Sequence, residues 1–241
     1  MATDKISLSD AVRGNLLTLQ RTTSAIELTQ SRLSTGLKVN SALDDASAFF
    51  TARSLNFRAS DLDGLKSNID LAISTIQAAI DGIDAITELV NQAKGLASNA
   101  KATGDTNERS TLAVQFNSLL AQINGIANDS TFNGINLLKA SPDNLDVVFN
   151  ESNTSNLTIT GLDTTTASTG INLVVAANNF GDAANIDSAL TAISTALTTL
   201  RSNGSTLGSN NTILKTRLDF TQNLVNTLEG GSGKLTLADL N

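Results

Sequence analysis

Apolar residues recur every seven positions along residues 62–97, as Leu62, Ile69, Ile76, Ile83, Val90 and Ala97. A companion row falls three or four places away, through Leu65, Ala72, Ile73, Ala79, Ile80, Ile86 and Ala93. A strand repeats every two residues, so this alternation predicts a helix with one narrow apolar stripe, the seam of a coiled coil or long bundle. No proline interrupts the stretch, and Ala, Gln and Glu suit the intervening positions. At ~1.5 Å per residue the helix is about 50 Å long. Each Leu or Ile withdrawn from water is worth about 1.5–3 kcal/mol, so the stripe demands a partner of similar length.

The far end of the chain supplies one. Ile186, Ile193, Leu200, Leu207, Leu214 and Leu228 keep the same spacing, with Thr221 at the missing rung. Leu190, Leu197, Leu218 and Val225 form the companion row, which Gly204 and Asn211 interrupt. This second stripe covers about 60 Å by the same rise. Two matched seams predict helices lying along each other. An ordinary four-helix bundle and an elongated subunit that stacks into a larger assembly both satisfy that geometry.

Residues 1–39 carry a thinner stripe. Val12, Leu19, Ile26 and Leu33 repeat every seven, flanked by Leu16 and Leu37, while Thr23 and Gln30 dilute the companion row. Such a helix is marginal without a partner. Gly36 then breaks the pattern. Ser41 precedes Asp44 by three, the spacing of a capping box, and predicts a helix over 42–57 that feeds the central seam, with a joint at Asp61 and Gly64. Residues 101–107 read as a turn. Leu112, Phe116, Leu119, Ile123 and Ile126 mark a further helix. Residues 128–136 read as a loop, and Pro142 ends the helical sequence. Three short runs rich in Val, Ile and Thr follow at 145–149, 157–160 and 171–176, reading as strands or hairpins too small to stand alone. Gly230, Gly231 and Gly233 close the last seam.

Composition narrows the chemistry. The 241 residues hold one or two domains, with eight Phe but no Trp or Tyr, which suits thin helical layers better than a wide core. The chain has no Cys and no His, so thiol nucleophiles, Ser-His and Cys-His pairs and the usual zinc sites are excluded. No catalytic residue, metal site or cofactor is expected. A formal charge of −7 with few aromatics argues against nucleic acid. The longest apolar runs, such as 173–177, are too short to span a bilayer, so no membrane insertion is expected. The first ten residues lack the apolar core and cleavage pattern of a secretory leader.

Three stretches resemble one family. Residues 32–53, RLSTGLKVNSALDDASAFFTAR, are similar to the N-terminal signature of bacterial flagellins. Residues 131–138, TFNGINLL, resemble that family's FNG…LL turn, and residues 199–218, TLRSNGSTLGSNNTILKTRL, resemble its C-terminal helix. Order and spacing match as well. The resemblance implies a mainly α fold: an elongated antiparallel helical rod, coiled-coil-like, with a small β-hairpin region between the N- and C-terminal helices.

On this reading residues 1–40 form the N-terminal helix of a filament-core domain and 41–140 the N-terminal helices of a rod domain. A hairpin region occupies 141–182, the C-terminal rod helix 183–229, and a linker 230–241. In that family a further long helix, beyond the position matching Asn241, pairs with the first, and this sequence is expected to lack it. The resemblance also implies export without a cleaved signal peptide to the extracellular flagellum, with polymerisation into a helical homo-oligomer that serves motility. The implied partners are an export chaperone and cap or junction proteins. The subunit interface carries over to Leu33, Gly36, Asn40, Asp44, Asp45 and Arg53. The rod core is expected at Leu62, Ile69, Ile76, Ile83, Val90, Phe116, Ile193, Leu200, Leu207 and Leu214. A hook–filament junction protein and a cell-surface homologue that binds polysaccharide are the alternatives.

Overall fold

A computed structural model describes residues 10–239 of the chain. The outer ends of the first and last expected segments, residues 1–9 and 240–241, lie outside the described residues. Among these there are four long helices: α1 (Asp10–Thr35), α2 (Ala46–Ala102), α3 (Thr106–Asp129) and α4 (Ala183–Thr236). Two antiparallel hairpins, β1 (Thr131–Phe132) with β2 (Ile135–Asn136) and β3 (Leu145–Val148) with β4 (Asn156–Ile159), sit between α3 and α4 in the chain. The mainly α architecture with a small hairpin region is borne out. The chain divides into two compact units, one of Asp61–Asn223 and one of the residues up to Ser60 with those from Leu224 onward.

Within Asp61–Asn223 the two seams meet. Leu62, Ile69, Ile76, Ile83 and Val90 of α2 are buried, as are Ile193, Leu200, Leu207 and Leu214 of α4. Lys101 Nζ lies 2.6 Å from Asp187 Oδ1, and Lys66 Nζ donates to Gln222 Oε1 at 2.8 Å. A Cβ added at Gly204 would lie 3.8 Å from Ile83 Cγ2. All three pairings obey one antiparallel register. α3 closes the layer with Ala113, Phe116, Leu120, Ile123 and Ala127 buried. Its N-terminus is capped by Asp105, whose Oδ1 accepts from Asn107 N at 2.8 Å. Arg109 Nε donates to Ala100 O at 3.0 Å and Thr103 O at 2.9 Å, satisfying carbonyls left open where α2 ends.

Asn136 ties the hairpins to the helices. Its buried Nδ2 donates to Ala127 O (2.9 Å) and Asn128 O (2.8 Å), while its Oδ1 accepts from Leu138 N (2.7 Å) and Lys139 N (3.0 Å). With a longer bond from Nδ2 to Thr131 Oγ1 (3.3 Å), these leave no polar atom of the buried side chain unmet. The β1–β2 turn runs through Asn133 (φ 49) and Gly134 (φ 80), the left-handed pair that a two-residue hairpin needs. In β3, Leu145 and Val147 face the core and Asp146 faces out, where its Oδ1 accepts from Thr158 Oγ1 across the ladder.

Several local expectations are corrected. Residues 128–136 are not merely loop, since β1 and β2 pair there. Residues 171–176 are not a strand. Ile171, Leu173 and Ala176 are buried, but Val174 and Val175 both point to solvent, so alternation fails. Asn172 is left-handed (φ 53), and Ala176 N bonds to the Asn117 side chain instead of a neighbouring strand. The helix does not break at Asp61 and Gly64, because α2 is continuous, although the boundary between the two compact units falls at Asp61. A single glycine costs about 1 kcal/mol, too little to end a helix whose next turns are buried. For the same reason Gly230, Gly231 and Gly233 do not close α4, which continues to Thr236 past buried Ser232.

Two glycines should respond oppositely to alanine. A Cβ at Gly82 would overlap Ser130 Oγ and come within 2.8 Å of Leu138 Cδ1, so Gly82→Ala is expected to destabilise by about 1–3 kcal/mol. Gly204 has room for a methyl group, and Gly204→Ala should stabilise by about 1 kcal/mol through helix propensity. Urea unfolding of the two variants measures both. A Gly82→Ala protein as stable as the parent would contradict this packing.

Candidate functional site

The residues singled out for the subunit interface lie in the unit that contains α1. Leu33 is 70% exposed on α1, and no residue of that helix is buried. Gly36 ends the helix in the left-handed region (φ 70), its N–H donating to Arg32 O at 2.8 Å. A C-terminal turn of this hand favours glycine. The chain then runs against the end of α4. Lys38 N and Val39 N share Thr236 O (2.8 and 3.3 Å), Ala238 N donates to Gly36 O (2.9 Å), and Lys38 Nζ reaches Lys234 O (2.9 Å). Leu37 and Leu237 form an isolated antiparallel bridge, and Val39 is buried.

Asp44 and Asp45 perform separate tasks. Asp44 Oδ2 accepts from Asn40 N (3.1 Å), Ser41 N (2.9 Å) and Ser41 Oγ (3.2 Å), closing a turn over residues 40–44. Asp45 Oδ1 accepts from Ala48 N at 2.9 Å, and Asp45 O accepts from Phe49 N at 2.9 Å, so Asp45 is the N-cap of α2. This corrects the expected helix start at residue 42: the Ser41–Asp44 spacing marks the turn before the helix. Asp44's carboxyl is held below the ordinary carboxylate range, chiefly by the Ser41 N–H, then by the Asn40 N–H, with help from the Ser41 hydroxyl and the Arg32 charge against a small cost of burial. Arg53 lies one helical turn before Phe57, its guanidinium 5.2 Å above the ring. The six expected residues thus occupy one stretch of one unit, of which Gly36, Asn40, Asp44 and Asp45 act on the backbone between α1 and α2. Phe50 and Phe57, both exposed beside Arg53, received no reading from the sequence. Their spacing of seven was the available signal.

A second anchored carboxylate lies in the other unit. Asp143 Oδ2 pairs with Lys139 Nζ at 2.8 Å and accepts from Asn136 N at 2.9 Å. The Lys139 side chain, then the Asn136 N–H, lower its pKa. Among the described residues no group of three or more His, Cys, Asp or Glu side chains could hold a metal ion, and no helix is long and apolar enough to cross a membrane.

These features define a protein built from long paired helices, with a structured backbone joint and a hairpin region. The family model for the bacterial flagellin N-terminal helical region matches residues 10–143. A flagellin of Brucella melitensis is 28% identical over 236 residues, covering 94% of this chain and 83% of the relative. Flagellin FljO of Caulobacter vibrioides is 30% identical over 241 residues, the whole of this chain and 87% of the relative. The crystal structure of Bacillus cereus flagellin superposes with a TM-score of 0.56 at 20% identity, covering 64% of this chain and 88% of that one, a likeness of fold. The chain belongs to the bacterial flagellin family.

Both anchored carboxylates predict an acid-sensitive fold. Their folded pKa values lie below the unfolded value of about 4, so their contribution is full above that value and is lost as pH falls through the folded pKa. Thermal unfolding followed from pH 6 down to pH 2 should show stability declining below about pH 4, with a shallower decline in the Asp44→Asn, Asp143→Asn double variant. Parallel curves for parent and variant would refute the assignment.

Proposed function

We infer that this protein is a structural subunit of the bacterial flagellar filament, polymerising with copies of itself outside the cell to serve motility. The match of residues 10–143 to the flagellin model carries this reading, and the matched seams of α2 and α4 support it physically. The family is one of structural proteins, and the junction-protein and polysaccharide-binding readings are not favoured. Export proceeds without a cleaved signal peptide, with an export chaperone and cap or junction proteins as partners. Residues 1–40 belong to the filament-core domain, and those between 41 and 229 to the rod with its hairpin region. Leu33, Gly36, Asn40, Asp44, Asp45 and Arg53 form part of the contact between subunits. A helical polymer joins one surface of a subunit to a different surface of the next, which agrees with a joint whose outward side chains differ from those of the seam.

Expression of this protein as the sole flagellin of a strain tests the reading. Sheared appendages should contain it as the main component, and swimming halos should shrink towards those of a non-motile strain when it is removed. Filaments devoid of it, or label confined to the cytosol, would overturn the conclusion.

A further inference from the structure

The unit that contains α1 exposes several large apolar side chains. Leu43, in the turn before α2, is 98% exposed, and Phe50 and Phe57 on α2 are 60% and 58% exposed. Phe50 and Phe57 stand two turns apart on one side of α2, and Arg53 lies between them with its guanidinium over the Phe57 ring. Single exposed apolar residues need no explanation, but an Arg stacked within an aromatic row has the composition of a contact centre.

Charge indicates what meets it. Residues 61–223 hold sixteen Asp and Glu against eight Lys and Arg, whereas the rest of the chain holds seven against eight. In that acidic part, Asp63, Asp70, Asp81, Asp84 and Glu88 are all exposed on α2. At ~100° per residue they fall within a strip about 60° wide. Lys66 is the one cation in the strip, and it already bridges Asp63 (2.7 Å) and Gln222. Asp81, Asp84 and Glu88 are spaced three and four apart, so like charges crowd one another.

We propose that the Phe50, Arg53 and Phe57 row of one copy docks on the acidic strip of α2 in a second copy. This rests on the reading of the chain as a self-assembling subunit and names one of its contacts. The row and the strip are different surfaces, so the contact is heterologous and can repeat from copy to copy without closing. Arg53 supplies a fixed fork for carboxylates, the strip offers five of them, and the two rings exclude water beside the pair.

Charge reversal tests it. Arg53→Glu, and separately the triple variant Asp81→Lys, Asp84→Lys, Glu88→Lys, should each raise the concentration needed for seeded assembly about tenfold, read by sedimentation. Their thermal melts should stay within a few degrees of the parent's, because all four side chains are exposed. Combining the reversals in one chain, or mixing the two variants in equal amounts, should restore assembly towards the parent's threshold. An Arg53→Glu protein that assembles like the parent, or reversals that do not rescue one another, would overturn the contact and leave the subunit reading intact. A parent that stays monomeric at every seeded concentration would remove both.

Discussion

Burial of the α2–α4 seam is the interaction on which Asp61–Asn223 depends. The rungs at Ile69, Ile76, Ile83 and Val90 are withdrawn from water only if Ile193, Leu200, Leu207 and Leu214 lie against them in one register. A slide by one residue would turn the stripe by about 100° and expose it. The polar pairs Lys101–Asp187 and Lys66–Gln222 lie far apart along that seam and agree with the same register. They are partly exposed, so they add little energy and serve as guides to alignment. α3 and the hairpins then pack on a framework already determined, with Phe116 edge-on to Phe180 at 5.3 Å.

Polar residues inside the seam show how far apolar continuity can be relaxed. Thr75 and Thr221 are buried, and each hydroxyl donates to a carbonyl four residues back in its own helix, Leu71 O and Arg217 O. A threonine can therefore replace an apolar rung without leaving a donor unmet. Asn211 differs, because its Oδ1 is buried without a partner. It follows Gly204 by seven, and the run between them is rich in Ser, Gly and Asn, all poor helix formers. α4 persists there because Leu207 within the run and Leu214 just beyond it are fully buried. Tertiary packing overrides local preference, as expected when most helix stability comes from the buried face.

That balance explains what could be read from the residues. Heptads gave α2, α3 and α4 because burial selects every third or fourth side chain over many turns. The hub at Asn136 was legible only as part of a family motif, since nothing about an isolated Asn announces so many partners. Ser41 and Asp44 had the right spacing for a cap but serve a turn, because Asp45 one step later reaches Ala48 N. Residues 171–176 have strand composition yet lack a neighbouring edge to pair with, and composition cannot supply one. Glycine positions misled at 64 and 230–233, where a cost of about 1 kcal/mol each is outweighed by buried neighbours. The joint residues were named through resemblance, and their hydrogen bonds became legible only in three dimensions.

The exposure of α1 carries the last step. Val12, Leu19, Ile26 and Leu33 are 44–70% exposed, and the helix buries no residue. Thr18, Thr22 and Thr29 bond back to their own helix, to Gly14 O, Thr18 O and Ala25 O. A helix of this length with a dilute stripe is marginal in water by propensity alone. Neither local propensity nor burial therefore gives it much stability, in contrast with the seam of Asp61–Asn223, which the chain supplies from within. Stability linked to binding depends on concentration, whereas stability from an internal core does not. The same polypeptide therefore joins a bundle that buries its own core to a helix that buries none of its residues, so the two respond differently to anything that covers them.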